Sequence, residues 1–162
     1  MATLWRPAYV AIGSNLQSPR ERVLEAMDRM EVLSGTPLLR SHLYLAQPMG
    51  PKDQPDYVNA VAGLLTQATP RELLNELLGI ERGMGRNRQE RWGPRVIDLD
   101  LVWMVDAAVD EPGLTVPHPG VSIRNFVLYP LADIAPTIKI PEYGSVLDLK
   151  RSVGGDGISV LE

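Results

Sequence analysis

Val96-Ile97-Asp98-Leu99-Asp100-Leu101-Val102-Trp103-Met104-Val105 is the stretch on which the reading of the fold turns. It is apolar and β-prone over strand length, without helical period, and is the clearest strand of the chain. Upstream, Thr69-Pro70 opens a helix with Leu73, Leu74, Leu77 and Leu78 facing inward. Before that helix, Tyr57 to Leu65 and Leu38 to Leu45 read as strands, separated by the Gly- and Pro-bearing loop Met49 to Pro55. Further back, Ser18 as N-cap and Pro19 in the first turn start a helix with Val23, Leu24, Met27 and Met30 on its apolar stripe, ended by Gly35-Thr36-Pro37. The first element is the strand Tyr9-Val10-Ala11-Ile12, stopped by Gly13-Ser14-Asn15. The order is βαββαβ, the ferredoxin-like signature. Downstream, Gly113 to Pro119 is a loop, Arg124 to Ile134 a short helix closed before Pro136, and 137–147 a short strand and turn. The expectation is an α+β, ferredoxin-like antiparallel sheet with added short strands and helices packed on it. One domain spans 1–162, with a loosely held tail from about position 145 that carries Gly154-Gly155-Asp156-Gly157.

Composition excludes several classes. The chain has 162 residues, 44% hydrophobic and 22% charged, enough to bury a core without staples. It has no cysteine, which removes disulfides, thiolate zinc sites and Cys nucleophiles, and two histidines, His42 and His118, do not make a metal cage. No apolar run reaches the roughly 20 residues of a membrane span. Met1-Ala2-Thr3-Leu4-Trp5-Arg6-Pro7 lacks the blocks of a signal peptide, so a cytoplasmic chain is expected. The net charge of −4 speaks against a general nucleic-acid coat. Yet five arginines (Arg82, Arg86, Arg88, Arg91, Arg95) and one acid, Glu90, lie between positions 82 and 95, a local +4. That patch fits a local anionic ligand or a solvated loop.

Period-2 alternation puts Asp98 and Asp100 on one face, and Leu99, Leu101 and Trp103 on the other. At about 3.3 Å per residue the two carboxylates start roughly 6–7 Å apart. They can converge on metals about 3.5–4 Å apart. Hard oxygen donors suit magnesium better than zinc. Asp-x-Asp alone reads more readily as the solvated face of an edge strand. The arginine-rich loop that feeds directly into it shifts the balance, because a polyphosphate with magnesium needs both carboxylates and guanidinium forks. No P-loop and no kinase-type glycine loop is present. Tyr57 and Asn59 share a strand face; an amide beside an aromatic suits the edge and face of a flat heterocycle, and ordinary core packing is the plainer alternative. Phe126 is the one phenylalanine. His118 is held between Pro117 and Pro119. Glu81 extends the apolar stripe of the second helix as a helix-end charge or a carboxylate turned into a cleft. Arg124, near the start of the last helix, suits a phosphate or an acid.

Ala11-Ile12-Gly13-Ser14-Asn15, the run from Gly50-Pro51-Lys52-Asp53 through Gln54-Pro55-Asp56-Tyr57-Val58-Asn59, Arg91-Trp92-Gly93-Pro94-Arg95-Val96-Ile97-Asp98-Leu99-Asp100, Pro117-His118-Pro119 and Arg124-Asn125-Phe126-Val127-Leu128 together resemble the motifs of the 6-hydroxymethyl-7,8-dihydropterin pyrophosphokinase family of folate biosynthesis. The resemblance covers about positions 9–136. It implies transfer of pyrophosphate from ATP, the co-substrate, to the pterin hydroxymethyl group, with release of AMP. It implies two magnesium ions on Asp98 and Asp100, and Arg86 and Arg95 acting with them in catalysis. It implies nucleotide contacts from Glu81, Arg86, Arg88, Trp92, Arg95, His118 and Arg124, and a pterin site of Ala46, Gln47, Met49, Tyr57, Asn59, Trp92 and Phe126. Tyr57 and Phe126 would sandwich the ring, Asn59 would meet its edge, and the loop carrying Trp92 would seal the site. Two positions depart from the family pattern: Ala46 stands where threonine is frequent, and Pro119 where some members have an aromatic. The expected partners are these two small molecules, for a monomer that binds neither nucleic acid nor membrane. Two rivals stand beside this reading: a ferredoxin-like two-metal nucleotidyl-transfer domain, and an RNA-recognition-type module.

Overall fold

Along the first strand Ala8, Val10 and Ile12 alternate with Tyr9, Ala11 and Gly13, and this alternation defines the two faces of the sheet. The computed structural model describes residues 4–48, 50, 53–85 and 95–161. Its strands are β1 (Arg6–Ser14), β2 (Leu39–Arg40), β3 (Tyr44–Ala46), β4 (Tyr57–Thr66), β5 (Asp98–Met104), β6 (Val109–Glu111), β7 (Leu114–Val116), β8 (Lys139–Ile140), β9 (Gly144–Ser145) and β10 (Ile158–Val160). Its helices are α1 (Pro19–Glu31), α2 (Pro70–Gly83), α3 (Asn125–Ile134) and α4 (Val146–Val153).

The main sheet runs β10-β3-β4-β1-β5, with β2 also on β4, and every pairing is antiparallel. β4 lies between β1 and β3, the strands that α1 connects, and β1 lies between β4 and β5, the strands that α2 connects. Each β-α-β unit is thus split by a strand of the other, as the ferredoxin-like expectation requires. β6–β7 and β8–β9 are two small separate ribbons.

Helices α1 and α2 form for the reasons read in the sequence, with one exception. Thr69 makes a full capping box on α2: its hydroxyl accepts from the Glu72 N–H (3.1 Å), and the Glu72 carboxylate accepts from the Thr69 N–H (2.8 Å). Leu73 and Leu77 are fully buried, and Leu74 and Leu78 half-buried. Ser18 holds the expected N-cap position before Pro19 but does not cap α1 with its side chain. It sits at φ 62°, in the left-handed region, and its side chain makes no capping bond.

Register fixes the face on which the functional side chains stand. Gly13 pairs with both Asn59 and Asp98, and Asn59 with Tyr44, so Tyr44, Asn59, Gly13 and Asp98 form one row across four strands. Ala11 pairs with Val61 and Asp100, the next row on the same face. Helices α1 and α2 pack against β1, β4 and β5 and touch each other. α3 lies on the Asn59 face, where Ile134 comes within 3.4 Å of the position a Cβ on Gly63 would take. The register between β1 and β5 shifts after Tyr9–Trp103, leaving Val102 without a partner on β1. The alternation expected from Leu99 through Trp103 therefore holds up to Leu101 and is broken by this bulge, which brings Trp103 opposite Tyr9.

The C-terminal segment, expected to be loosely held, instead forms α4 and then β10, which pairs with β3 through Ile158–Ala46, Ser159–Leu45 and Val160–Tyr44. Its short length and glycine-rich approach hide it from periodicity. Among the described residues no helix is long and apolar enough to cross a membrane.

Candidate active site

The Asn59 face of β1, β4 and β5 is left open beside the N-terminus of α3. There an open cleft of about 620 Å³ is lined by Asp98 and Asp100 of β5, Gly13 of β1, Tyr57 and Asn59 of β4, Gln47 just after β3, and Arg124 and Phe126 at the start of α3. A smaller recess of about 200 Å³ continues past Asp100 and Arg124 to His118 and Val121. The two share Ala11, Asp100, Arg124 and Val127.

Gly13 is required by its surroundings. A Cβ there would lie 2.9 Å from Asn59 Nδ2 and 3.5 Å from Tyr57 Cδ1, so the carboxamide and the phenol ring lean over the bare backbone of β1. The sequence read this glycine as a strand stop. Its partners 44 and 46 positions away are what give it this role.

Asp98 and Asp100 stand on the same face, as their spacing predicts. Among the described residues no group of three or more His, Asp or Glu side chains is gathered that could hold a metal. Two carboxylates with solvent on the open side still fit magnesium, which takes one or two carboxylates and completes its octahedron with water and substrate phosphate.

Glu81, expected near the nucleotide, is turned inward onto the main chain of β5. It is 2% exposed, on the same stripe of α2 as Leu73 and Leu77, and its carboxylate accepts the Leu99 N–H at 2.7 Å. It thus holds the backbone between the two aspartates and is not among the residues lining the cleft.

His118 hangs from β5, its main-chain N–H donating to the Val102 carbonyl at 2.7 Å. Its Nδ1 accepts the Gly120 N–H at 2.9 Å, which leaves the proton of the neutral ring on Nε2. Burial pushes its pKa down to about 4, the positive charge of Arg124 adds to this, and Asp98 opposes it. The ring is therefore a neutral hydrogen-bond donor near pH 7. Arg124 crosses Gly120 so closely that a Cβ there would meet its Nε at 2.5 Å, and its guanidinium carbon lies 5.9 Å from the centroid of Phe126.

Asn15, read from the sequence as part of a turn, is a buried joint at 2% exposure. Its Nδ2 donates to Gln54 Oε1 and to the Pro55 carbonyl, both at 2.9 Å. Its Oδ1 accepts the Arg95 N–H at 2.8 Å, and its own N–H donates to the Arg95 carbonyl at 3.0 Å. It ties the segment before Tyr57 to the segment before Asp98. An asparagine after a strand suggests a local turn; these partners are remote in sequence.

Ala46 is buried opposite Tyr57 in the β3–β4 pair and does not line the cleft, whereas Gln47 does. Met49, Arg86, Arg88 and Trp92 lie outside the described residues.

Paired carboxylates beside an arginine and an aromatic-walled slot, on a ferredoxin-like sheet, define an enzyme of phosphoryl-transfer type. The 7,8-dihydro-6-hydroxymethylpterin-pyrophosphokinase (HPPK) family matches residues 9–136, and the chain belongs to it. It is 46% identical over 154 residues to a Pseudomonas aeruginosa 2-amino-4-hydroxy-6-hydroxymethyldihydropteridine pyrophosphokinase, covering 94% of this chain and 95% of that one. It is 42% identical over 145 residues to the Haemophilus influenzae protein of the same name, covering 89% and 91%. In fold it resembles the Plasmodium falciparum HPPK-DHPS crystallised with pterin and p-hydroxybenzoate, with a TM-score of 0.72 at 12% identity over 92% of this chain and 43% of that longer one. The nucleotidyl-transfer and RNA-recognition alternatives find no support in these relationships.

Proposed function

We propose that this chain transfers the pyrophosphoryl group of ATP to the hydroxymethyl oxygen of 6-hydroxymethyl-7,8-dihydropterin, in tetrahydrofolate biosynthesis. It does so in the cytoplasm, as a monomer acting on small molecules. The observation that carries this reading is that one cleft gathers two kinds of chemistry: the carboxylates of Asp98 and Asp100 with the Arg124 guanidinium, and the aromatic and amide groups of Tyr57, Phe126 and Asn59.

The pterin hydroxyl oxygen attacks the β-phosphorus of ATP. The bond from that phosphorus to the α,β-bridging oxygen breaks, AMP leaves with the oxygen, and the hydroxyl proton passes to solvent. Asp98 and Asp100 would hold two magnesium ions, which would neutralise the charge of the triphosphate. Arg124, with Arg86, Arg88 and Arg95, binds phosphate oxygens. His118 donates from Nε2 without adding charge. Tyr57 and Phe126 enclose the pterin ring, and Asn59 offers a donor and an acceptor to its edge. Gln47 closes the outer wall. No general base is assigned, so the rate rests on alignment and charge stabilisation. AMP release from ATP, magnesium and the dihydropterin, absent when any one is omitted, tests the reading. Release without pterin would refute it.

A further inference from the structure

The cleft's outer wall depends on a part of the chain beyond the family match, which ends at residue 136. We propose that the turn 154–157 is a brace that sets the width of the pterin slot, with Asn125 as its positioning residue. This rests on the pterin reading given above.

Phe126 and Gln47, which line the slot, come from different elements: Phe126 from the first turn of α3, and Gln47 from the residue after β3. The far end of α3 is fixed to β3 directly, since the Tyr44 hydroxyl donates to the Asp133 carboxylate at 2.9 Å. The near end is fixed through the turn. Asn125 Nδ2 donates to the carbonyls of Gly154 (3.2 Å) and Asp156 (2.9 Å), and the Gly157 carbonyl accepts the Gln47 N–H at 3.1 Å.

The turn is shaped for this place. Gly154 and Gly157 have φ of 73° and 76°, a region where side chains are strained. A Cβ on Gly155 would lie 2.9 Å from the Tyr129 hydroxyl, and one on Gly157 3.2 Å from Gln47 Oε1. Beyond the turn β10 joins the sheet on β3, so the brace is anchored at both ends. Loosening it frees the α3 end that carries Phe126, with Arg124 at its cap, to move away from Gln47, while Asp98 and Asp100 on β5 stay in place.

The test uses the full chain. Asn125→Asp keeps the size but removes both N–H donors, and Gly157→Ala strains the other end of the brace. Dihydropterin affinity is measured by fluorescence in the presence of magnesium and α,β-methylene-ATP, and affinity for the nucleotide analogue is measured separately. Loss of the two hydrogen bonds predicts about tenfold weaker pterin binding, with nucleotide binding weakened less, since of the phosphate-binding residues only Arg124 shares that end of α3. KM for pterin rises with it while kcat holds. A lower melting temperature with both affinities unchanged, or with both weakened alike, would overturn the proposal, since a merely structural role gives that pattern. Should Asn125→Asp fail to fold, Gly157→Ala alone carries the same split. A wild-type chain that binds the nucleotide analogue but no pterin would overturn the functional reading and this brace with it. Pterin binding that survives both substitutions would overturn the brace alone.

Discussion

Gly13→Ala tests the floor of the cleft. The substitution places a methyl 2.9 Å from Asn59 Nδ2, where ordinary contact begins near 3.4 Å, so the carboxamide must shift by about half an ångström. Asn59 is 7% exposed, which leaves little room for a shift that keeps its amide plane in place. The main chain itself tolerates the change, because Gly13 has no positive φ. Removing glycine from a strand even stabilises by about 0.4–1 kcal/mol through the unfolded state, which offsets part of the crowding, so the melting temperature should move little. A displaced amide forfeits one or both hydrogen bonds to the ring edge, at about 0.5–1.5 kcal/mol each. That corresponds to pterin binding weakened on the order of tenfold, with α,β-methylene-ATP binding unchanged. The assay is pterin fluorescence titration on wild type, Gly13→Ala, Asn59→Ala and the double variant. If the glycine acts through Asn59, its substitution is silent once Asn59 is alanine. Undiminished pterin affinity in Gly13→Ala, or full additivity in the cycle, would refute the reasoning.

Four further outcomes are expected. Asp98→Ala and Asp100→Ala each remove most turnover at saturating magnesium while the fold survives; near-wild-type turnover in either would overturn the metal assignment. Arg86→Ala and Arg95→Ala weaken nucleotide handling by roughly tenfold to 150-fold, the range for one charge-assisted contact of about 1.5–3 kcal/mol, and leave pterin affinity alone; unchanged kinetics with ATP would remove the loop from phosphate binding. His118 has a pKa held down to about 4 against an ordinary 6.5, so the unfolded chain takes up its proton first; the stability this group contributes is full above pH 6.5 and lost as pH falls toward 4, and His118→Gln flattens that part of the profile of melting temperature against pH in the ligand-free protein. Magnesium with α,β-methylene-ATP tightens pterin binding by at least about fivefold, because both ligands occupy one cleft and share Arg124 and Phe126 at its α3 end, and linkage demands the same factor in the reverse direction; a Trp92→Phe comparison isolates the Trp92 fluorescence, and equal pterin affinity with and without the analogue would show independent sites.

What was legible in the sequence had short-range causes. Alternation around Asp98-Leu99-Asp100, the Thr69 cap and the leucine stripe of α2 each depend on neighbours within a turn or a strand, and each appears in the structure as read. Glu81 shows where such reading stops. Its place on the buried stripe was visible, but the destination of its carboxylate depends on β5 lying beside α2, so the Leu99 N–H could not be foreseen as its partner. The Val102 bulge was hidden for a related reason: a bulge is a property of two strands, and the sequence of β5 alone carries no mark of where β1 slips against it. In the tail, glycine suggests looseness and the structure shows the opposite. With φ positive at Gly154 and Gly157, those glycines instead permit a tight path whose carbonyls meet Asn125 and Gln47. The cleft is therefore built from two kinds of information. The reactive groups follow local periodicity, while the glycines, Asn15 and Asn125 that hold the walls apart take their meaning from partners that only the closed sheet brings within reach.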